Sequence, residues 1–169
     1  INYKLVENKT TNTRPYRGRN VPWYNKERAL AYEHSPYDTT ILMDCDYFVF
    51  SSTLLELTKT NFDIMLHDKV HDLTGRNMIE GKDESTLTLV WATVTLFKKG
   101  ANAKAIFDMI KHVQEYYPHY KNLYRIKYSA YRNDYAFAIA MHQLNLGNRI
   151  PTPMQMLADS VDIIDSDDE

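Results

Sequence analysis

Residues 39–50 read TTILMDCDYFVF, and the predicted fold is organised around this stretch. A short apolar run with β-branched residues at its start has the length and composition of a buried strand. Two aspartates, Asp44 and Asp46, follow the run and are one residue apart. A strand that is buried on both faces has no place for a carboxylate. The two aspartates therefore predict the rim of a sheet, where α/β proteins bind ligands at the carboxyl ends of their strands.

The spacing of the two aspartates predicts a metal site. Side chains alternate along a strand, so Asp44 and Asp46 are expected to point to the same side and Cys45 into the sheet. Two neighbouring negative charges repel each other unless a cation lies between them. Carboxylate oxygens suit Mg²⁺ or Mn²⁺. We therefore predict a divalent cation held by Asp44 and Asp46, and the alternative is a strand end with solvated carboxylates.

The length and charge of the chain indicate one domain with a mild basic balance. The 169 residues suit a single domain, 1–158, followed by an acidic tail, 159–169. The tail contains six acidic residues and no Lys or Arg, and without it the chain has 20 basic and 16 acidic residues, a net charge of +4. This balance suits a small anionic ligand and is too weak to indicate nucleic acid.

The single cysteine and the absence of long apolar segments predict a cytoplasmic protein. One cysteine, Cys45, excludes an internal disulfide. No apolar run in the sequence has the length of a transmembrane helix, and no signal peptide is recognisable.

Predicted strands alternate with predicted helices, which favours an α/β layer fold. Besides the strand at residues 39–43, we predict strands at Phe62–Leu66 and Leu87–Phe97. The predicted helices are Trp23–His34, a short helix opened by a capping box at residues 53–56, Ala101–Tyr116, and a helix that begins at an Asn133 N-cap and stops at Gly147, with a loop at Tyr116–Tyr120.

Several further side chains are candidates for ligand binding. Arg14, Arg17 and Arg19 surround Gly18 in a polar stretch, where guanidinium groups could bind a phosphate, although a solvated surface loop explains them as well. Trp91, in the predicted strand Leu87–Phe97, could stack on the apolar face of a sugar ring or could belong to the core.

Asp134 lies in the first turn of a predicted buried helix, where it is placed to act as a general base or only to stabilise the helix dipole. His67 and His71 have the spacing of a zinc pair on a helix, but no helix is predicted there and a zinc site is the less favoured interpretation.

Four of these features together resemble the GT-A-fold glycosyltransferases that use nucleotide-diphosphate sugars. They are the apolar strand, Asp44-Cys45-Asp46, the later strand with Trp91-Ala92-Thr93, and the helix opened by Asn133-Asp134. Asp44 and Asp46 match the DXD motif of that family, and the resemblance extends from Trp23 to Gly147. It implies an α/β fold with a mixed sheet flanked by helices. The family begins with a nucleotide-binding βαβ unit, of which the residues ahead of Asp44 are expected to supply only a part.

The resemblance also implies an activity and assigns roles. The chain is expected to move a sugar from a nucleotide-diphosphate donor, expected to be a UDP-sugar, to an acceptor hydroxyl with Mn²⁺ or Mg²⁺ as cofactor. By this resemblance Asp46 ligates the metal that holds the diphosphate, and Asp44 contacts the ribose or sugar and is a second candidate ligand. Asp134 matches the acidic residue that serves as base near the acceptor. Arg17, Arg19 and Trp91 would help to bind the donor. The family's late His ligand has no counterpart after His142.

Two other functions are consistent with the same residues. Phosphatases of the haloacid-dehalogenase type also carry Asp-x-Asp at the end of a strand, but their motif continues with Thr or Val where this chain has Phe48. A sugar- or protein-binding domain that kept the fold without the chemistry is the other alternative.

Overall fold

A computed structural model provides the structure of the protein. It describes residues 13–16, 18–23, 25–45, 47–67, 71–72, 87–127, 130–144 and 162–163. The predicted helix stop at Gly147 and most of the acidic tail, 159–169, lie outside the described residues, so the division of the chain at residue 158 stays a prediction.

Short strands and helices alternate along the described chain. The strands are β1 (Thr13–Tyr16), β2 (Arg19–Pro22), β3 (Thr39–Met43), β4 (Ile64–His67), β5 (His71–Asp72), β6 (Trp91–Lys98) and β7 (Asp162–Ile163). The helices are α1 (Ala31–His34), α2 (Thr53–Thr58), α3 (Ala101–Glu115), α4 (Tyr117–Leu123) and α5 (Asn133–Gln143), and a 3-10 helix at Lys26–Leu30 leads directly into α1. The predicted α/β class is confirmed.

Three strands form the central sheet in the order β3-β6-β4, and both pairings are antiparallel. The predicted mixed sheet is therefore antiparallel over these strands, while β1 pairs with β2 and β5 pairs with β7 separately. Because β3 and β4 both run against β6, their carboxyl ends meet the amino end of β6 at one edge of the sheet. We call this the Asp44 edge; it comprises Asp44, His67 and Trp91–Thr93.

β3 is an edge strand of this sheet and not its central strand. The prediction that residues 39–43 are buried on both faces is wrong, because the strand is half-buried and Met43 exposes 41% of its surface. β6 takes the middle position because both of its faces are covered. Phe97 packs among the helices, whereas Val94 and Leu96 pack with α2.

Helix α3 covers one face of the sheet, as its spacing predicts. Its buried positions are Ala103, Ile106, Phe107, Ile110 and Val113, which recur every three or four residues and so form one apolar stripe. The ring of Phe107 lies 4.9 Å from that of Phe97 and 5.8 Å from that of Phe137, measured between centroids. Phe107 therefore joins β6, α3 and α5 in one core.

Helix α5 is buried on nearly all sides, as predicted, but it begins differently. Arg132 is its N-cap, and Asn133 is already inside the first turn, so the predicted Asn133 cap is wrong. Asn133 is buried, and its side-chain amide donates to the carbonyl of Asn25 at 3.4 Å, a tertiary contact that replaces capping. Although α5 is strongly apolar, no described helix is long and apolar enough to cross a membrane.

Two other local predictions are wrong. The loop predicted at Tyr116–Tyr120 is largely helix α4, in which Pro118 occupies a first-turn position where its missing N–H is not needed. The capping box predicted at residues 53–56 is not formed, because Ser52 is the N-cap of α2 and makes no side-chain cap hydrogen bond.

We expect Phe107→Ala to lower the free energy of unfolding by about 3–5 kcal/mol, because it removes a fully buried ring and leaves a cavity. Phe50→Ala is the matched control, since Phe50 is 94% exposed, and it should change stability by no more than about 0.5 kcal/mol. Urea denaturation measures both values. Equal losses in the two variants would contradict the placement of Phe107 in the core.

Candidate functional site

Asp44 follows β3 directly and begins a turn. Its backbone N–H donates to the carbonyl of Thr93 at 3.0 Å, which extends the β3–β6 pairing by one residue. Its own carbonyl accepts from the N–H of Tyr47 at 3.2 Å, so the chain turns back after the strand. The side chain of Asp44 is 35% exposed. The first aspartate of the motif therefore lies at the end of a strand and can be reached from solvent, as predicted.

The turn changes the argument for the two neighbouring residues. Cys45 is exposed, and the prediction that it points into the sheet is wrong, because β3 ends at Met43 and strand alternation does not reach Cys45. Asp46 lies outside the described residues. A shared cation between Asp44 and Asp46 therefore stays a prediction.

A buried arginine fixes Asp44 from the protein side. Arg28, on the 3-10 helix that precedes α1, is only 8% exposed. Its Nη1 donates to Oδ1 of Asp44 at 2.5 Å. Its Nη2 donates to the carbonyl of Thr93 at 2.8 Å and also to the carbonyl of Ala92. One guanidinium thus joins the helical segment before β3, the end of β3 and the beginning of β6.

The charges around Arg28 are balanced. Burial lowers the pKa of the Arg28 guanidinium, and the negative charges of Asp44 and Asp134, together with the hydrogen bond to Asp44, oppose that lowering. The ordinary pKa of an arginine side chain lies far above neutral pH, so the group remains a cation at neutral pH. Asp44 therefore has a permanent positive partner on its protein side, and its side chain is partly exposed to solvent.

Asp134 joins helix α5 to the same edge of the sheet. Its Oδ1 accepts from the backbone N–H of Ala92 at 2.8 Å. Its Oδ2 accepts from Nε of Arg132 at 3.0 Å and lies 2.9 Å from Nη2 of the same guanidinium. Both carboxylate oxygens are thus hydrogen-bonded, and the side chain is 20% exposed.

Trp91 is the first residue of β6 and is half-buried. The guanidinium carbon of Arg132 lies 5.4 Å from the centre of its ring, within the range of a cation–π contact. Trp91 is therefore not a fully buried core residue, and its ring contacts a charged side chain beside Asp134.

The structure does not bring all of the predicted site residues together. Arg19 is exposed in β2, and no hydrogen bond between described residues joins it to the Asp44 edge. The side chain of Arg14 and all of Arg17 lie outside the described residues. His67 is fully buried at the end of β4, and His71 belongs to β5. The helical spacing that would pair these histidines on zinc is absent.

Among the described residues, Asp44 offers a carboxylate that suits Mg²⁺ or Mn²⁺, but these residues do not form a complete cage. Within the described part of the chain, which does not include Asp46, no three His, Cys, Asp or Glu side chains converge. Mg²⁺ commonly binds through one or two carboxylates and completes its shell with water and substrate phosphates. A site of that kind needs Asp44 and one more carboxylate, not a cluster of three.

An exposed apolar segment continues from the motif. Phe48 and Phe50 are 74% and 94% exposed, and their ring centroids lie 6.3 Å apart with nearly parallel planes. Single exposed apolar residues are ordinary, but consecutive ones are typical of a contact surface. The sequence showed an apolar run here and gave no reason to place it on the surface.

Arg28 is a residue of the candidate site that the sequence pattern does not single out. It lies 16 positions before Asp44, inside a segment that was predicted only as a helix. The available signal was a cation followed directly by Ala29-Leu30-Ala31, which places a charge on an apolar stretch. Such a residue needs a buried acceptor, but the sequence does not say which one.

Comparison with protein families, with curated proteins and with solved structures found no match to this chain. Its function is therefore inferred from the residues and from the geometry of the Asp44 edge.

We expect Arg28→Gln to lower the free energy of unfolding by about 2–4 kcal/mol. The change removes the positive partner of Asp44 and weakens the hydrogen bonds to two backbone carbonyls. Arg19→Gln is the matched control, because Arg19 is exposed, and it should stay within about 0.5 kcal/mol of the unmodified protein. Chemical denaturation gives both values. A loss below about 0.5 kcal/mol for Arg28→Gln would contradict the buried contact of Arg28 with Asp44 and the two carbonyls.

Proposed function

We propose that the protein is a metal-dependent glycosyltransferase of the GT-A type that moves a sugar from a nucleotide-diphosphate donor to an acceptor hydroxyl. One observation supports this proposal most. Asp44 belongs to an Asp-x-Asp sequence at the end of a strand, and Arg28 holds it while its side chain stays 35% exposed. A metal-binding side chain that is already held in place loses little conformational freedom when a cation binds.

The proposed cofactor is Mn²⁺ or Mg²⁺, held by Asp44 and Asp46 together with the diphosphate of the donor. When bound, the metal supplies Lewis-acid stabilisation of the charge that develops on the leaving diphosphate, worth about several kcal/mol. The contribution of the chain would be to orient Asp44, a candidate metal ligand, through Arg28. Arg17 and Arg19 are proposed to donate to phosphate oxygens, as guanidinium groups do in bidentate pairs.

Trp91 is proposed to contact the sugar of the donor, which we expect to be a UDP-sugar. The ring is half-buried at the beginning of β6, beside the residues that bond Arg28 and Asp134. Sugar rings present C–H groups that pack on aromatic faces. The Arg132 contact would hold the indole in one orientation, which favours a fixed platform.

A non-catalytic nucleotide-sugar-binding domain is the second candidate. The observation that favours it is the state of Asp134, whose two oxygens are already engaged by Ala92 and Arg132. A domain of this kind would bind the metal and the donor through the same residues and would release no product.

We expect Mn²⁺ together with a UDP-sugar to raise the melting temperature of the protein. A ligand at 100 times its Kd stabilises the folded state by about 2.7 kcal/mol, or about 5–10 °C for a chain of this size. Asp46→Ala should abolish the shift because it removes a metal ligand. Asp108→Ala is the matched control, since Asp108 lies on α3 in surface ion pairs. A thermal-shift panel of nucleotide sugars with and without Mn²⁺ makes the measurement.

Product analysis on the same samples separates the candidate functions. Release of UDP that is lost in Asp46→Ala supports the transferase, and a thermal shift without UDP release supports the binding domain. Phosphate release from p-nitrophenyl phosphate would support the phosphatase alternative. The absence of any metal-dependent shift across the panel would contradict the proposed function.

A further inference from the structure

The peptide group of Ala92 is bonded from both of its sides by charged residues. Its N–H donates to Oδ1 of Asp134 at 2.8 Å, and its carbonyl accepts from Nη2 of Arg28. Arg28 in turn donates to Asp44. A continuous path of three hydrogen bonds therefore leads from Asp134, through Ala92 and Arg28, to Asp44.

The hydrogen bonds of Asp134 engage both of its carboxylate oxygens. Oδ2 accepts a hydrogen bond from Nε of Arg132 and is ion-paired with Nη2 of the same guanidinium, and Oδ1 accepts the Ala92 N–H. Charge-assisted hydrogen bonds are strong and hold the carboxylate in one orientation. A general base must also be within reach of the hydroxyl that it deprotonates. Arg132, which pairs with Asp134 and lies over Trp91, occupies space on one side of the carboxylate.

We propose that Asp134 is a positioning residue for Asp44, acting through the Ala92 peptide and Arg28, and not the base that accepts the proton of the acceptor. This inference rests on the proposed function, because what it positions is a metal ligand. The half-buried Asp134 fixes the beginning of β6, and the backbone of β6 fixes Arg28.

The charge of Asp134 acts on the same path. Besides Asp44, it is the second carboxylate whose charge opposes the lowering of the Arg28 pKa by burial. Asp134 also contributes, after burial itself, to raising the pKa of the buried Tyr131 hydroxyl. Its negative charge is thus balanced by two arginines, which is the environment of a structural carboxylate.

Replacement by asparagine distinguishes positioning from base catalysis. Asn keeps an oxygen that can accept the Ala92 N–H, but it cannot take up a proton. For UDP-sugar hydrolysis with Mn²⁺, we expect Asp134→Asn, which loses the ion pair with Arg132, to lower kcat by no more than about ten-fold, less than the loss of about 10²–10⁴-fold that removal of a general base causes. Asp134→Ala should weaken the affinity for Mn²⁺ and UDP by about ten-fold, equivalent to about 1.4 kcal/mol. Asp108→Asn and Asp108→Ala are the matched controls on α3.

The opposite pattern would overturn the inference. If Asp134→Asn lowers kcat by about 10²–10⁴-fold, as loss of a general base does, while KM and the affinity for Mn²⁺ and UDP stay the same, Asp134 is the base. If Asp134→Ala leaves that affinity unchanged, Asp134 does not position Asp44.

A measurement without ligand separates this inference from the proposed function. Amide hydrogen exchange reports whether the N–H groups of Ala92 and Asp44 remain bonded. We expect faster exchange at both amides in Asp134→Ala than in Asp134→Asn. If this pattern is found but the unmodified protein does not bind Mn²⁺ with UDP, the proposed function is wrong and the metal-positioning role with it. If binding is found and the two variants exchange alike, the path through Ala92 is wrong while the proposed function stands.

Discussion

The structure of the candidate site depends on one buried cation. Removing a guanidinium from water is unfavourable unless its N–H groups find acceptors, and Arg28 finds three, in Asp44, Ala92 and Thr93. The acceptors come from the end of β3 and the beginning of β6, while Arg28 itself comes from the 3-10 helix before α1. The need to satisfy one charge therefore brings three separate segments together and fixes the carboxylate that begins the Asp-x-Asp turn.

The antiparallel sheet explains why Arg28 can contact Asp44 and the first residues of β6 at the same time. β3 and β6 pair in opposite directions, so the residue that follows β3 lies beside the first residues of β6. Helix α5 packs against the same region, and Asp134 in its first turn reaches the Ala92 N–H. A carboxylate thus lies on each side of the first residues of β6, with Arg28 bonded to one of them. The sheet and the helix layer position the site through backbone groups as much as through side chains.

Local patterns predicted the elements well, and tertiary contacts explain the differences. The periodicity of α3 and the apolar character of α5 were sufficient, because an apolar stripe depends on spacing alone. The position of β3 at the side of the sheet was not predictable from its own residues, since it depends on which strand has both faces covered. Asn133 looks like a cap, yet it is used in a contact with Asn25, about 100 residues away in sequence.

The sequence was sufficient to identify the carboxylates Asp44 and Asp134 as candidates, because polar residues concentrate at the ends of strands and helices. It was not sufficient to identify Arg28, because the contact between Arg28 and Asp44 forms only when the chain folds.

A double-mutant cycle with Arg28→Met and Asp44→Asn tests the interaction between these two residues most directly, with the free energy of unfolding as the measured quantity. Contacting residues in one hydrogen-bonded network couple by about 0.5–3 kcal/mol. We predict a coupling of at least about 1 kcal/mol between Arg28 and Asp44. Additive effects, within about 0.3 kcal/mol, would contradict the account.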